Sequence, residues 1–313
     1  MLEEVERWLA RRSWSAADRP LAALAAAKQG TQVSVVLPAL NEAATVGRIV
    51  SVIRRELMSG PAPLVDELVV IDSGSTDRTG DVAAAAGARV VHRDDILPRL
   101  PAVPGKGEVL WRSLLVTSGD IVCFVDADLK DFSADFVSGI VGPLLTEPDV
   151  MFVKAMYDRP LGDEPGQGGR VTELVARPLL NLHWPLLAGF VQPLGGEYAV
   201  RRSLLEQLPF PVGYGVELGL LVDALHTVGL DALGQVDVGV RRHRHQDGQA
   251  LGRMAAAIYR TAQLRLSRGH LVRPVLTQFE RGEGGFEPRT HAVDTEERPP
   301  MREIAEYEAG RAA

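Results

Sequence analysis

Between residues 33 and 125 the chain alternates short, β-rich apolar runs with segments of helical period, and that alternation leaves it few folds to choose from. The runs are VSVVLPA (33–39), ELVVIDS (67–73), ARVVH (88–92) and IVCFV (121–125). Between the first two, Val46, Ile49, Val50, Ile53 and Leu57 stand at helical spacing. DVAAAAG follows the second run, and a further helix, roughly 107–118, precedes the fourth. Apolar strands joined by helices describe a mostly parallel sheet covered on both faces, an α/β doubly wound architecture. Such sheets bind ligands outside the carboxyl ends of their strands. Pro38-Ala39-Leu40-Asn41-Glu42, Asp72-Ser73-Gly74-Ser75 and Asp126-Ala127-Asp128 each follow a predicted strand, so three polar clusters share one rim.

The flanks are less regular. Residues 1–30 read as a helical arm and an alanine-rich helix stopped by Gly30, and 31–148 as the ligand-binding α/β half. In 149–277, VMFVKAMY, GGEYAVRR and DALGQVDVGV read as strands. RVTELVARPLLNLHW, which Pro178 limits or kinks, and GVELGLLVDALHTV, closed by Gly229, read as helices. From 278 to 313 the chain is rich in Gly, Pro and charge and is expected as an extended tail or dimer arm. A net charge of −7 argues against a general nucleic-acid binder, which needs a basic footprint. The one cysteine, Cys123, lies inside an apolar run, so an internal disulfide or a cysteine zinc cluster is excluded. With no signal-peptide core and no apolar stretch of roughly 20 residues, the expectation is a cytoplasmic protein.

Chemistry concentrates at a few positions. Side chains at i and i+2 of a strand point the same way, so Asp126 and Asp128 can face one ligand. Two carboxylates so close call for a cation between them, and Mg2+ or Mn2+ held by carboxylate and substrate phosphate answers that need. Taken alone, the triplet fits equally a turn whose aspartates cap the next helix. Lys106, in Pro104-Gly105-Lys106-Gly107, can reach a diphosphate as a point charge, and is as readily a solvated loop lysine. Arg170 follows Gly168-Gly169 at a helix start, where guanidinium and helix amides suit a phosphate or carboxylate. Glu217 stands among Val216, Leu218, Leu220 and Leu221, either on a polar face or at a site. His243, in Arg241-Arg242-His243-Arg244-His245, is a structural histidine or a third metal ligand. The neighbouring arginines are solvated or form a cationic patch for an anionic acceptor.

The ordered set VSVVLPALNE, DELVVIDSGSTDRT, PGKGEVLWRSL and DIVCFVDADL resembles the nucleotide-diphospho-sugar transferases of the GT-A fold. GGRVTELVARPLL, QPLGGEYAVRR, FPVGYGVELGLLVD, the HRH near 243 and RPPM narrow the resemblance to the glucosyl-3-phosphoglycerate synthase family, which includes mannosyl-3-phosphoglycerate synthases. That resemblance implies a Rossmann-like GT-A sheet with a C-terminal acceptor-binding extension. It implies a retaining, Mg2+- or Mn2+-dependent hexosyl transfer to the 2-hydroxyl of 3-phosphoglycerate, with UDP-glucose favoured as donor, and a homodimer. It assigns Pro38, Ala39, Leu40, Glu42, Asp72, Ser73, Lys106, Asp126 and Ala127 to the nucleotide sugar. Asp128 and His243 become metal ligands; Glu217, Asp126 and Lys106 the catalytic set; Arg170, Val171, Thr172 and His245 the acceptor contacts. At His245 the chain departs from the asparagine of close relatives, on the acceptor side. GDP-mannose as donor or a secondary-metabolite acceptor are the alternatives within the fold. A nucleotidyltransferase, disfavoured because PALNEAAT replaces its glycine-rich loop, and a non-catalytic nucleotide-sugar binder are the alternatives outside it.

Overall fold

The computed structural model describes residues 2–159, 169–242, 247–266, 275–282, 285–292 and 296–311. Eight strands form one sheet: β1 (Ser13–Ser15), β2 (Val33–Ala39), β3 (Glu67–Asp72), β4 (Arg89–His92), β5 (Ile121–Phe124), β6 (Phe152–Asp158), β7 (Tyr198–Arg201) and, after the short β8 (Phe210–Pro211), β9 (Leu233–Val240). Their spatial order is β1-β9-β6-β7-β5-β2-β3-β4. Every pairing is parallel except those of β7, which runs antiparallel to both β5 and β6.

Period-two alternation sorts the strand residues into two buried layers. Val33, Val35, Leu37, Ile121, Cys123 and Val125 face one core, which α2 (Leu21–Lys28), α3 (Val46–Val52), α4 (Thr79–Ala85) and α6 (Asp135–Thr146) cover. Val36, Val69, Ile71, Val122, Phe124 and Val200 face the other. It is covered by α1 (Glu3–Arg12), α5 (Lys106–Ser113), α7 (Arg177–His183), α8 (Arg202–Leu205), α9 (Val216–Val228) and α10 (Gly248–Leu266). The helical residues read from sequence, Val46, Ile49, Val50, Ile53 and Leu57, are all buried, although a π-helical turn carries the last two. Among the described residues no helix is long and apolar enough to cross a membrane.

Two flanks differ from expectation. The N-terminal arm is stitched to the sheet: Trp8 is buried and donates to the Leu233 carbonyl at 2.8 Å, and Ser13–Ser15 pair with β9. The stretch expected as an extended tail is structured. Val275–Gly282 (β10) and Gly285–Ala292 (β11) form a hairpin, Glu297–Arg298 (β12) pairs with β8, and Ala305–Arg311 forms α11. Three apolar anchors, Met301, Ile304 and Tyr307, bury this end despite its polar composition.

Candidate active site

The carboxyl ends of β2, β3, β5, β6 and β9 share one edge, and the reversed β7 brings its amino end there too. A cavity of roughly 470 Å³ opens on that edge. Pro38, Leu40 and Glu42 line it from β2, Asp126, Ala127 and Asp128 from β5, Lys106 from the start of α5 and Glu217 from the first turn of α9. Arg170, Val171 and Thr172 line it from the turn ahead of α7, so the donor and acceptor candidates read from sequence meet in one space. Ala39, Asp72 and Ser73 are not among the lining residues. Asp72 Oδ1 accepts from the Gly74 and Ser75 amides and shapes its own turn. His243 and His245 lie outside the described residues.

Local structure fixes these positions. The Thr45 hydroxyl donates to the Ala127 carbonyl at 2.6 Å and sets the Asp126–Asp128 turn. Lys106 opens α5 against β8: a Cβ at Gly107 would stand 1.8 Å from the Pro211 carbonyl oxygen, so only glycine permits that approach. Because α9 begins five residues beyond β8, Lys106 and Glu217 are presented from the same support. Arg298 of β12 braces it from behind, donating to both oxygens of the fully buried Glu108 at 2.6 and 2.9 Å.

The charges interlock. Lys106 Nζ donates to Asp126 Oδ1 and stands 2.9 Å from Glu217 Oε1. Arg241, only 4% exposed, donates through Nη2 to Asp126 Oδ2 at 2.8 Å and Asp128 Oδ1 at 3.2 Å, and through Nε to Glu197 Oε1 at 2.9 Å. The Tyr157 hydroxyl donates to the other Glu197 oxygen at 2.8 Å. The sequence leaves Arg241 as a solvated cation or as part of a cationic patch facing the acceptor, and the structure corrects the first alternative: the side chain is buried and lines the cavity. It is a buried brace between the two aspartates and Glu197. Glu197 and Tyr157 were not singled out, though a glutamate just ahead of the apolar YAV run was a visible signal.

These contacts divide the two aspartates. Burial alone would raise the Asp126 carboxyl, but Lys106 and Arg241 outweigh it and hold it down at about 2. Burial opposes the charge of Lys106 as well, yet Asp126 and Glu217 keep it protonated well above the ordinary lysine range. Asp128 is pushed upward by burial and by the charge of Asp126, with Arg241 opposing. Asp126 is thus compensated within the protein, whereas Asp128 presents a carboxylate whose charge still wants a cation. Among the described residues no group of three His, Cys, Asp or Glu side chains is arranged to hold a metal ion by itself. A carboxylate oxygen at Asp128 is the hard donor that Mg2+ or Mn2+ takes alongside substrate phosphate oxygens.

Comparisons agree with this geometry. Residues 34–208 match the model of a family described as glycosyl transferase family 2. The glucosyl-3-phosphoglycerate synthase of Mycolicibacterium smegmatis is 51% identical over 301 residues, spanning 94% of this chain and 97% of that protein. The crystal structure of the Mycobacterium tuberculosis glucosyl-3-phosphoglycerate synthase in complex with Mn2+, uridine-diphosphate and phosphoglyceric acid superposes with a TM-score of 0.82 at 49% identity, covering 91% of this chain and 95% of that one. The crystal structure of mannosyl-3-phosphoglycerate synthase from Rubrobacter xylanophilus gives 0.89 at 40% identity, covering 96% and 99%.

Proposed function

The chain belongs to glycosyl transferase family 2, and on that premise we propose that it moves glucose from UDP-glucose to the 2-hydroxyl of 3-phosphoglycerate, with retention at the anomeric carbon. The observation that carries this reading is the match to synthases of that name over nearly the whole chain, 51% identical in one case and 49% in another solved with Mn2+, uridine-diphosphate and phosphoglyceric acid. The cavity supplies a matching division of labour, with compensated anions and cations on one wall and Arg170 and Thr172 on another.

The costly event is departure of the nucleoside diphosphate, which gathers negative charge as the anomeric bond breaks. Lys106, held charged between Asp126 and Glu217, aims its ammonium at that charge. Asp128, with His243, would hold a Mg2+ or Mn2+ ion, which when bound would supply further positive charge to the leaving group. Glu217 also faces the cavity, where it orients the sugar hydroxyls. Pro38, Leu40 and Glu42 form the nucleotide wall, with Ala39, Asp72 and Ser73 behind it. Arg170 and Thr172, flanked by Val171, hold the anionic ends of the acceptor, and His245 joins them. The acceptor hydroxyl then approaches on the face that the diphosphate leaves, so no side chain need act as a covalent nucleophile, and a phosphate oxygen takes the proton.

Mannosyl transfer from GDP-mannose is the second reading, supported by the better backbone superposition on the Rubrobacter enzyme. The higher identity to the glucosyl synthases favours glucose. We assign the protein to the cytoplasm, consistent with its buried, unpaired Cys123, and to a homodimer, which light scattering tests. The deciding experiment crosses UDP-glucose, GDP-glucose and GDP-mannose with 3-phosphoglycerate and reads the product by proton NMR. An α-glucosyl product from UDP-glucose supports the proposal; an α-mannosyl product or a β-anomer overturns it.

A further inference from the structure

Beneath the cavity floor lies a second lysine. Lys154, on β6, is 1% exposed and is not among the residues lining the cavity. Its Nζ donates to the Gly195 carbonyl at 2.8 Å and stands 4.6 Å from the centre of the Tyr198 ring. A buried ammonium is expensive to hold, and one carbonyl with an aromatic face offsets only part of that cost. The strand position suits an apolar residue, as Phe152, two residues earlier on the same face and fully buried, shows.

The partner it holds explains the choice. Gly195 and Gly196 form the turn ahead of β7, and this turn is the floor under the reacting groups. A Cβ on Gly196 would stand 2.3 Å from both Asp126 Oδ2 and Lys106 Nζ, so the backbone at 196 is pressed directly against that ion pair. Fixing the Gly195 carbonyl fixes the floor, and the floor fixes Lys106. Charge points the same way. Asp126, Asp128, Glu197 and Glu217 crowd one region, where Lys106 and Arg241 form ion pairs with them and Arg159 adds its charge. Lys154 adds a further positive charge from the buried side.

We propose that Lys154 is a positioning residue of the donor-sugar site: its charged ammonium anchors the Gly195–Gly196 turn and, through it, the Lys106–Asp126 pair that faces the departing diphosphate. The inference rests on the glucosyl-transfer reading of the cavity. It also gives the reaction a pH limit. The groups facing Lys154 are Tyr198 and Glu197 at the start of β7, Glu217 on α9, Lys106 on α5 and Asp126 after β5. Burial drives its ammonium down, Lys106 adds to that, and the carboxylates only partly restore it, leaving it at about 8. The charged form therefore prevails below about pH 8 and is lost above it.

The test compares wild type, Lys154→Met and Lys154→Arg in UDP release from UDP-glucose and 3-phosphoglycerate with Mg2+, from pH 6.5 to 9.5, with UDP affinity measured by calorimetry. Wild-type kcat is expected to fall as pH rises through about 8. Lys154→Met is expected to lose at least about tenfold in kcat at pH 7, to keep UDP affinity within about threefold, and to lack the alkaline fall. Lys154→Arg, whose guanidinium stays charged throughout, is expected to keep more activity than Lys154→Met and also to lack that fall. Lys154→Met activity within twofold of wild type, or an alkaline fall that persists in the variants, overturns the inference. If Lys154→Met does not fold, the alkaline limb of Lys154→Arg decides alone. A wild type without acceptor-dependent UDP release overturns the proposed reaction and the role of Lys154 with it. Wild-type turnover with an indifferent Lys154 overturns only the latter.

Discussion

Gly196 offers a perturbation whose size can be worked from the structure. An alanine Cβ there would stand 2.3 Å from Asp126 Oδ2 and from Lys106 Nζ. Ordinary contact begins near 3.5 Å, so each atom must retreat by about 1 Å. The backbone at Gly196 is not in the left-handed region, so the methyl group itself brings no conformational strain. Both displaced atoms are the free ends of rotatable side chains, which places the stability cost at the low end for an overpacked site, about 1 kcal/mol. Catalysis is far less forgiving. Moving Lys106 Nζ by about 1 Å breaks its alignment with Glu217, and a misplacement of that size costs about 10²-fold in rate. Gly196→Ala is therefore expected to melt within a few degrees of wild type while kcat for UDP release drops by about two orders of magnitude. Activity within threefold of wild type, with the protein folded, would refute the claim that this ion pair is already in its working geometry.

Three further outcomes follow from single contacts. Arg298→Ala leaves Glu108 fully buried with Arg112 as its remaining partner, and should lower unfolding stability by about 3 kcal/mol in a urea titration; an unchanged midpoint would detach the C-terminal segment from the support of Lys106. Arg170→Ala should raise the acceptor KM by about tenfold or more and leave the donor KM unchanged, and an unmoved acceptor KM would remove Arg170 from the acceptor site. Arg241→Met strands Asp126, Asp128 and Glu197 without their shared cation, and should cost about 3 kcal/mol of stability together with most of the activity; wild-type stability would contradict its bracing role.

The sheet was legible because buried strands declare themselves: VSVVLPA, ELVVID and IVCF are apolar since both faces are covered. Direction was not legible. Nothing in YAVR separates a parallel from an antiparallel strand, yet the reversal of β7 is what brings Glu197 to the site. β1 escaped notice because Ser-Trp-Ser is too short to carry a period. The C-terminal end was misjudged on bulk polarity, which hid anchors spaced three residues apart at Met301, Ile304 and Tyr307. In the site, the residues that face the cavity after β2 and β5 were found, since position on the rim implies function, whereas Tyr157 and Arg159 at the end of β6 line it and were missed. Lys154 and Glu197, which do not line the cavity, were missed as well, although Lys154 within VMFVKAMY and Glu197 beside YAV are charges in apolar company. Only long-range pairing, such as Arg241 with Asp126 across 115 positions, shows what such charges are for.

The central claim is that Asp128, a divalent ion and 3-phosphoglycerate act together on UDP-glucose. The most direct test measures UDP release by wild type and Asp128→Ala with Mg2+ or with chelator, each with and without 3-phosphoglycerate, alongside a melting curve for the variant. The account predicts release only when acceptor, metal and Asp128 are all present, with the folded variant slower by about 10²-fold or more. UDP release that ignores 3-phosphoglycerate, or survives intact in Asp128→Ala, would contradict it.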